Sequence, residues 1–431
     1  MTYKIYTLGC KVNEYESEVM GNLFEGNGYS LSDNPDVCVV NTCTVTNTAD
    51  SKSRKLIRSV RRNNPSAILV VVGCLIQNNG GLASDLGADI VLGNKDKSKI
   101  ISLINEFKGK RIEKLYDIND MDFEDMTLEK SDLTRAYIKI QDGCDNYCTY
   151  CIIPYVRGHV RCKDNAKILS EALALVKAGH KEIVLTGIHT GNYHFGDYDF
   201  ADLLSDLVKV DGLERLRISS VEITELNDKF LDVLKNSDKL TNHMHIPLQS
   251  GCDSVLKKMN RKYDVDYFVK RINKIREIRP NINITTDVIV GFPGESNLDF
   301  EETIATIKNV NFTKLHVFPY SKREGTMAAG MTGQVDGRVK KERVKRLLEL
   351  SKELELNYMN NFLNTKVTFI PEVYKDGYLI GHSDNFLLIK AKGEEADLKK
   401  DVVVNIKKID YPYVLGVNEC TDNIDMNSYK C

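Results

Sequence analysis

Three cysteines, Cys144, Cys148 and Cys151, stand in GCDNYCTYCIIP with the spacing C-x-x-x-C-x-x-C. A loop of that size can wrap three thiolates around one cubane iron-sulfur cluster, in which every iron needs an outside ligand. One iron is then left open, and an open metal position separates a reactive centre from a closed structural one. The competing reading is a zinc site with His159 as its fourth ligand. Three further cysteines, Cys10, Cys43 and Cys74, are far apart, yet each closely follows an apolar run: KIYTLG, VCVVNT and AILVVVG. If those runs are parallel strands, their carboxyl ends share one sheet edge and the thiols converge on a second site. Cys38, inside its run, is the contrasting core thiol.

The elements that must position these thiols are legible in the pattern. From Lys4 to about Lys108, β-branched runs alternate with stretches of helical period such as EYESEVMGNLFEG and SKSRKLIRSVRR, which predicts a parallel α/β unit over 1–111. The acidic, aperiodic stretch at 112–133 reads as a linker. Six strand candidates follow: AYIKIQ, EIVLTGI, RLRISSVE, HMHIPLQ, ITTDVIVGF and KLHVFPY. Each leaves room for a helix, so 134–335 is expected to be a partial (β/α)6 relative of the eightfold barrel. GRVKKERVKRLLELSKELELNYMNNFL predicts a connecting helix at 336–363. Short strands and turns such as Lys375-Asp376-Gly377 predict a small β barrel over 364–431. The fold class is therefore α/β with a terminal β barrel.

A chain of 431 residues suits about three such units. The N-terminus lacks the pattern of a secretion signal, and no apolar run is long enough to span a bilayer, so a cytoplasmic location with no membrane partner is expected. In that reducing compartment, eleven cysteines read as metal ligands or reactive thiols rather than disulfides. A net charge of -2 gives no global attraction to nucleic acid, so any such contact rests on local faces. Lys52, Arg54, Lys55, Arg58, Arg61 and Arg62 crowd one predicted helix after Cys43, with the four arginines near one side. Arg157 and Arg161 follow the contiguous triplet and could meet phosphate or a carboxylate, or pair with nearby acids. In the terminal barrel, where acids are at least as numerous as bases, Tyr374, Tyr378 and Phe386 are weak stacking candidates that read better as barrel core.

The contiguous triplet, with Tyr150 before its last cysteine, resembles the signature loop of the radical S-adenosylmethionine superfamily. The resemblance implies a 4Fe-4S cluster whose open iron takes S-adenosylmethionine, and release of a 5'-deoxyadenosyl radical. It places Thr186 and Gly187 near the methionine end. Ser219, Ser220 and Glu222 then stand at a strand edge within reach of the ribose, with Gln249 and Ser250 similar; Gly291, Gly294 and Glu295 fall on the adenine side. The flanks TLGCKVNEYES, NTCTVTNTADSKSR and VVGCLIQ resemble the N-terminal domain of the methylthiotransferase family, and the terminal barrel resembles its TRAM domain. Together the likeness covers essentially the whole chain.

That family implies a second 4Fe-4S cluster on Cys10, Cys43 and Cys74 that carries or activates sulfur. It also implies two S-adenosylmethionine molecules, one as methyl donor and one as radical source. Members modify isopentenyl- or threonylcarbamoyladenosine beside the tRNA anticodon, or a ribosomal protein aspartate. Lys11 and Val12 after the first cysteine, and LTGIHTGNY, resemble the threonylcarbamoyladenosine branch. The expected partners are therefore tRNA carrying that nucleoside at position 37, a reductant protein and a sulfur source. Cys162 departs from the family, which usually has serine there, and reads as an incidental thiol. An alternative of another class is a non-catalytic RNA-binding protein with structural metal.

Overall fold

Valine and isoleucine dominate the first apolar runs because a parallel sheet is covered on both faces. In the computed structural model, which describes residues 1–79, 81–120 and 122–418, these runs form β1 (Thr2–Thr7), β2 (Ser30–Leu31), β3 (Val37–Thr42), β4 (Ile68–Gly73), β5 (Ile90–Leu92) and β6 (Ile112–Lys114). The helices α1 (Lys11–Gly26) and α2 (Asn47–Asn63) follow β1 and β3. All six strands are parallel, in the order β2-β1-β3-β4-β5-β6. The stretch expected to be a linker supplies β6 and then carries Met126 and Leu128 into the core. Its acids are solvated while its apolar residues anchor it, so it is a packed strap.

The second unit contains β7 (Arg135–Lys139), α3 (Ile153–Arg157), β8 (Glu182–Thr186), β9 (Arg215–Ile218), β10 (His243–His245), β11 (Asn283–Val290) and β12 (Lys314–Pro319). The strands run parallel as β9-β8-β7 and β10-β11-β12, and a parallel bridge between Leu216 and Leu240 joins the two sets into an open arc. The helices outside the arc begin at Asp164, Asp199, Asn227, Asp264 and Ser296, each of whose side chains accepts from an amide of the first turn. The arc's free edges are covered by α1 against β7 and by α4 (Gly337–Asn360) against β12.

The third unit, β13 (Lys366–Lys375), β14 (Tyr378–Ser383), β15 (Leu388–Lys392), β16 (Val402–Asp410) and β17 (Tyr413–Asn418), closes as β13-β14-β15-β17-β16. Its first hairpin turns on Asp376 and Gly377, both at positive φ. The barrel residues expected beyond 418 lie outside the described residues. This barrel docks on the amino ends of the arc: Arg135 pairs with Glu372 at 3.2 Å, and Arg215 with Asp401 at 2.9 Å. Among the described residues no helix is long and apolar enough to cross a membrane.

Candidate active site

The contiguous triplet sits in the loop after β7. Gly143, at φ +74, opens the loop where a Cβ would stand 1.9 Å from the His159 carbonyl oxygen, so only glycine fits. The Cys144 amide then donates to the Gly158 carbonyl at 3.0 Å. Arg261 donates to Cys148 Sγ at 3.3 Å and pairs with Glu222. His189 Nδ1 lies 3.9 Å from Cys144 Sγ, with Glu225 at 3.1 Å from its other nitrogen. Burial and the neighbouring Cys148 push the Cys151 thiol up to about 12, so thiolate formation here needs a metal to displace the proton.

The second triplet forms as the parallel topology requires. Cys10 caps α1 immediately after Gly9, Cys43 follows β3, and Cys74 opens a short helix after β4. The strand ends approach so closely that a Cβ on Gly9 would lie 2.9 Å from the Cys43 Cβ, and one on Gly73 2.7 Å from the Thr42 carbonyl oxygen. Arg157 Nε donates to Cys74 Sγ at 3.2 Å, and Asn94 Nδ2 reaches the same sulfur at 3.6 Å. Behind them, Glu16 pairs with Lys97 at 2.5 Å and Lys139 at 2.9 Å, while Asp142 pairs with Lys139 at 2.6 Å and Arg157 at 3.0 Å. Three buried cations thus face two buried carboxylates. The remaining positive charge lies against Cys74, where it suits an anionic cluster.

These surroundings fit iron-sulfur clusters better than single ions. In neither triplet do the three sulfurs all lie within 4.8 Å of one another. A zinc ion with Zn–S bonds of about 2.3 Å would draw them to about 3.8 Å, whereas a cubane holds each thiolate on a separate iron. His159, the alternative fourth zinc ligand, instead faces Asp145 at 2.6 Å on the surface. Both triplets adjoin α3, since Cys74, Cys144 and Cys151 pack with Ile152, Ile153 and Val156.

A cavity of about 790 Å³ runs through the arc, and its wall brings together Cys10, Thr186, Gly187, Ser219 and Ser220. All three units contribute to that wall: Lys11 and Glu14 from α1, Tyr358 from α4, and His382 and Phe386 from the terminal barrel. Phe386, at φ +63, leaves the barrel core and stacks between His243 at 4.6 Å and His382 at 4.3 Å. That corrects its reading as core, because the sequence pattern of SDNFLLIK hides the left-handed turn. Tyr374 stays on the surface and Tyr378 lies under Lys390. Burial beside Arg135 and Arg217 pulls the Lys11 ammonium down to about 8.

Other expected residues fall elsewhere. Tyr150 packs against the cluster of Phe292 and Tyr320. Glu222 is engaged by Arg261, beside Cys148 and away from the large cavity. Gln249, at φ +64, extends the sheet through its backbone, donating to Asp287 at 2.8 Å and accepting from Ile289 at 2.9 Å. Glu295 holds its own glycine turn, accepting from the Gly291 and Phe292 amides and pairing with Arg343 at 3.0 Å, so its carboxylate is spent on structure. Arg157 is a buried member of the network above and meets no phosphate from that position. Arg161 donates to the Arg157 carbonyl at 2.7 Å. On α2, Arg58 and Arg62 are exposed and Arg54 lines a polar cleft with Lys322 and Arg323. Arg61 is bound to Asp89 and donates to the carbonyls of Gly87 and Ala67, a strut rather than an open contact. Sequence reasoning missed Asn13, Glu16, His189 and Arg261; of these, Asn13 and Glu16 carry a signal, since they stand three and six places after Cys10 on one helical face.

The profile of the Radical SAM superfamily matches residues 138–307, and that of the uncharacterized protein family UPF0004 matches residues 2–93. The chain is 45% identical, over 96% of each chain, to the threonylcarbamoyladenosine tRNA methylthiotransferase MtaB of Bacillus subtilis. It is 35% identical, over 94% of each, to the tRNA-2-methylthio-N(6)-dimethylallyladenosine synthase of Clostridium tetani. Among solved structures, the radical S-adenosylmethionine methyltransferase TsrM from Kitasatospora setae shares the fold with a TM-score of 0.55, at 13% identity over 73% of this chain and 72% of that one.

Proposed function

The chain belongs to the radical S-adenosylmethionine family of tRNA methylthiotransferases, and from that premise we propose that it converts N6-threonylcarbamoyladenosine at position 37 of tRNA to its 2-methylthio derivative. The cofactors of the family are two 4Fe-4S clusters and S-adenosylmethionine. The observation that carries the substrate is the likeness itself, 45% to a threonylcarbamoyladenosine enzyme against 35% to a dimethylallyladenosine enzyme, both nearly full length.

In this reading Cys144, Cys148 and Cys151 hold one cluster and Cys10, Cys43 and Cys74 the other. When bound, the clusters supply the electron that cleaves S-adenosylmethionine and the sulfur that becomes the methylthio group. Thr186, Gly187, Ser219 and Ser220 line the wall on which S-adenosylmethionine is held. The cavity is of the size that admits a nucleobase with its substituent. Arg157 and Arg261 hold the thiols of Cys74 and Cys148 in place through their hydrogen bonds. Arg54, Arg58 and Arg62 offer phosphate contacts on the helix after Cys43. A reductant protein and a sulfur source complete the reaction in the cytoplasm.

Nucleoside mass spectrometry of tRNA from a deletion strain tests the substrate. The expected result is loss of 2-methylthio-threonylcarbamoyladenosine with accumulation of its unthiolated precursor. If that nucleoside persists and the methylthio derivative of isopentenyladenosine vanishes instead, the other branch is correct.

A further inference from the structure

Three donors on the wall of the large cavity have no acceptor within the protein. Lys11 makes no hydrogen bond or ion pair among the described residues; Glu14 and Glu182 attract it only at longer range. Arg217 spends Nε on Glu182 at 2.6 Å and Nη2 on the Asp384 carbonyl at 3.0 Å, while its Nη1 is buried and unpaired. His243 has Nε2 3.2 Å from the Thr285 hydroxyl, and in the tautomer where Nε2 accepts from that hydroxyl the proton sits on Nδ1, which is likewise buried and unpaired. Both side chains are more than nine-tenths buried. Of the neighbouring acids, Glu182 is engaged by Arg217, Glu372 by Arg135 and His382, and Asp287 by His245, while Glu14, three residues on from Lys11 on the same wall, attracts it without a hydrogen bond. Buried unpaired donors are costly and rare, so a cluster of them in a cavity of ligand size marks the place of an acceptor.

We infer that Lys11, Arg217 and His243 form a carboxylate seat that takes the free carboxylate of the threonine carried on the substrate nucleoside. This rests on the substrate reading above and adds to it the residues that enforce the choice. Lys11 directly follows Cys10, so the seat shares a wall with the second triplet. Two cationic side chains and one imidazole suit an anion with two oxygens. An isopentenyl group offers no acceptor and would leave all three donors unpaired, and sites built this way reject such analogues strongly.

The test uses the reconstituted enzyme and three anticodon stem-loop RNAs, carrying threonylcarbamoyladenosine, its carboxyl methyl ester, or isopentenyladenosine. Methylthio product is quantified by mass spectrometry. Wild-type enzyme is expected to show a KM roughly tenfold or more higher for the ester than for the acid. Lys11→Met is expected to raise KM for the acid toward that of the ester and to lose the distinction, with Lys11→Arg restoring part of it. Iron content is measured for each variant. If Lys11→Met has lost iron, the acid-to-ester ratio in wild-type enzyme decides alone. Equal handling of acid and ester by wild-type enzyme, or an undiminished preference in an iron-replete Lys11→Met, overturns the seat alone. Activity confined to the isopentenyl RNA overturns the substrate reading and the seat with it.

Discussion

At the scale of single residues, the two triplets differ in what surrounds each sulfur. Cys148 receives a hydrogen bond from Arg261, whose charge is matched by Glu222. Cys74 receives one from Arg157, which belongs to a network with cations in excess. Two separate sites predict separable losses. Cys148→Ala should abolish release of 5'-deoxyadenosine, whereas Cys43→Ala should retain that release and stop sulfur insertion, each variant losing about half the iron. Chromatography of the cleavage products beside an iron assay distinguishes them, and identical behaviour of the two variants would sink the division of roles. Arg157→Met should also destabilise the apo-protein by about 3–5 kcal/mol, because Glu16 and Asp142 lose a buried partner. Urea unfolding without iron reads that loss apart from any effect on a cluster. Arg157 shows where residue-level reading stops. Its guanidinium chemistry is plain in RGHVR, but only the inward turn of α3 decides that it meets acids and a thiol rather than phosphate.

At the scale of elements, strand ends do the positioning, and glycines set how closely those ends approach. Gly9 is at φ +116, with the Cys43 Cβ 2.9 Å and Sγ 3.2 Å from where its own Cβ would be. Gly9→Ala should therefore displace Cys43 and empty the second site while leaving the first loaded. The expected signature is the Cys43→Ala phenotype, about half the iron with S-adenosylmethionine cleavage kept, in a protein whose three cysteines are all present. Full iron in Gly9→Ala would show that the β1 end tolerates a side chain. The element pattern was largely legible. β-Branched runs announced β1, β3 and β4, six such runs announced the arc, and parallel pairing followed from the alternation with helices. What stayed hidden was set by tertiary context. β6 is three residues of mixed polarity that pair only because β5 offers an edge. Glu295 looked like a ligand beside a glycine turn, yet Arg343 arrives from α4, far along the chain, to hold it.

At the scale of the whole molecule, the terminal barrel forms part of the cavity, since β14 supplies His382 and the loop after it supplies Phe386 to the wall. Its docking is largely electrostatic: Glu372 meets Arg135, Asp401 meets Arg215 and Lys181, and Arg217 donates to the Asp384 carbonyl. His382 and Arg135 hold the Glu372 carboxyl below its usual range, and Lys181 and Arg215 do the same for Asp401, each against the opposing effect of burial. A depressed carboxylate stabilises the folded state fully above its unfolded pKa, about 4, and the contribution is lost as pH falls through the lower folded value. The share of docking that rests on these two carboxylates being ionised should therefore be lost as pH falls below about 4. Hydrogen exchange over the β7, β8 and β9 amino ends, with β13 and β14 facing them, would report that loosening. The double variant Glu372→Gln, Asp401→Asn should bring it to pH 7 while the interior strands of the barrel stay protected, because their core of Phe369, Leu379, Ile389 and Val404 is untouched. Wild-type protection in that variant at pH 7 would mean that the two ion pairs are dispensable and that the Arg217 bond to the Asp384 carbonyl and apolar contact hold the barrel. If the interface does loosen, Phe386 loses its place between His243 and His382, and KM for the nucleoside should rise before cleavage of S-adenosylmethionine is affected. That order would follow from the geometry, because the barrel shapes the floor of the cavity while both cysteine triplets belong to the other two units.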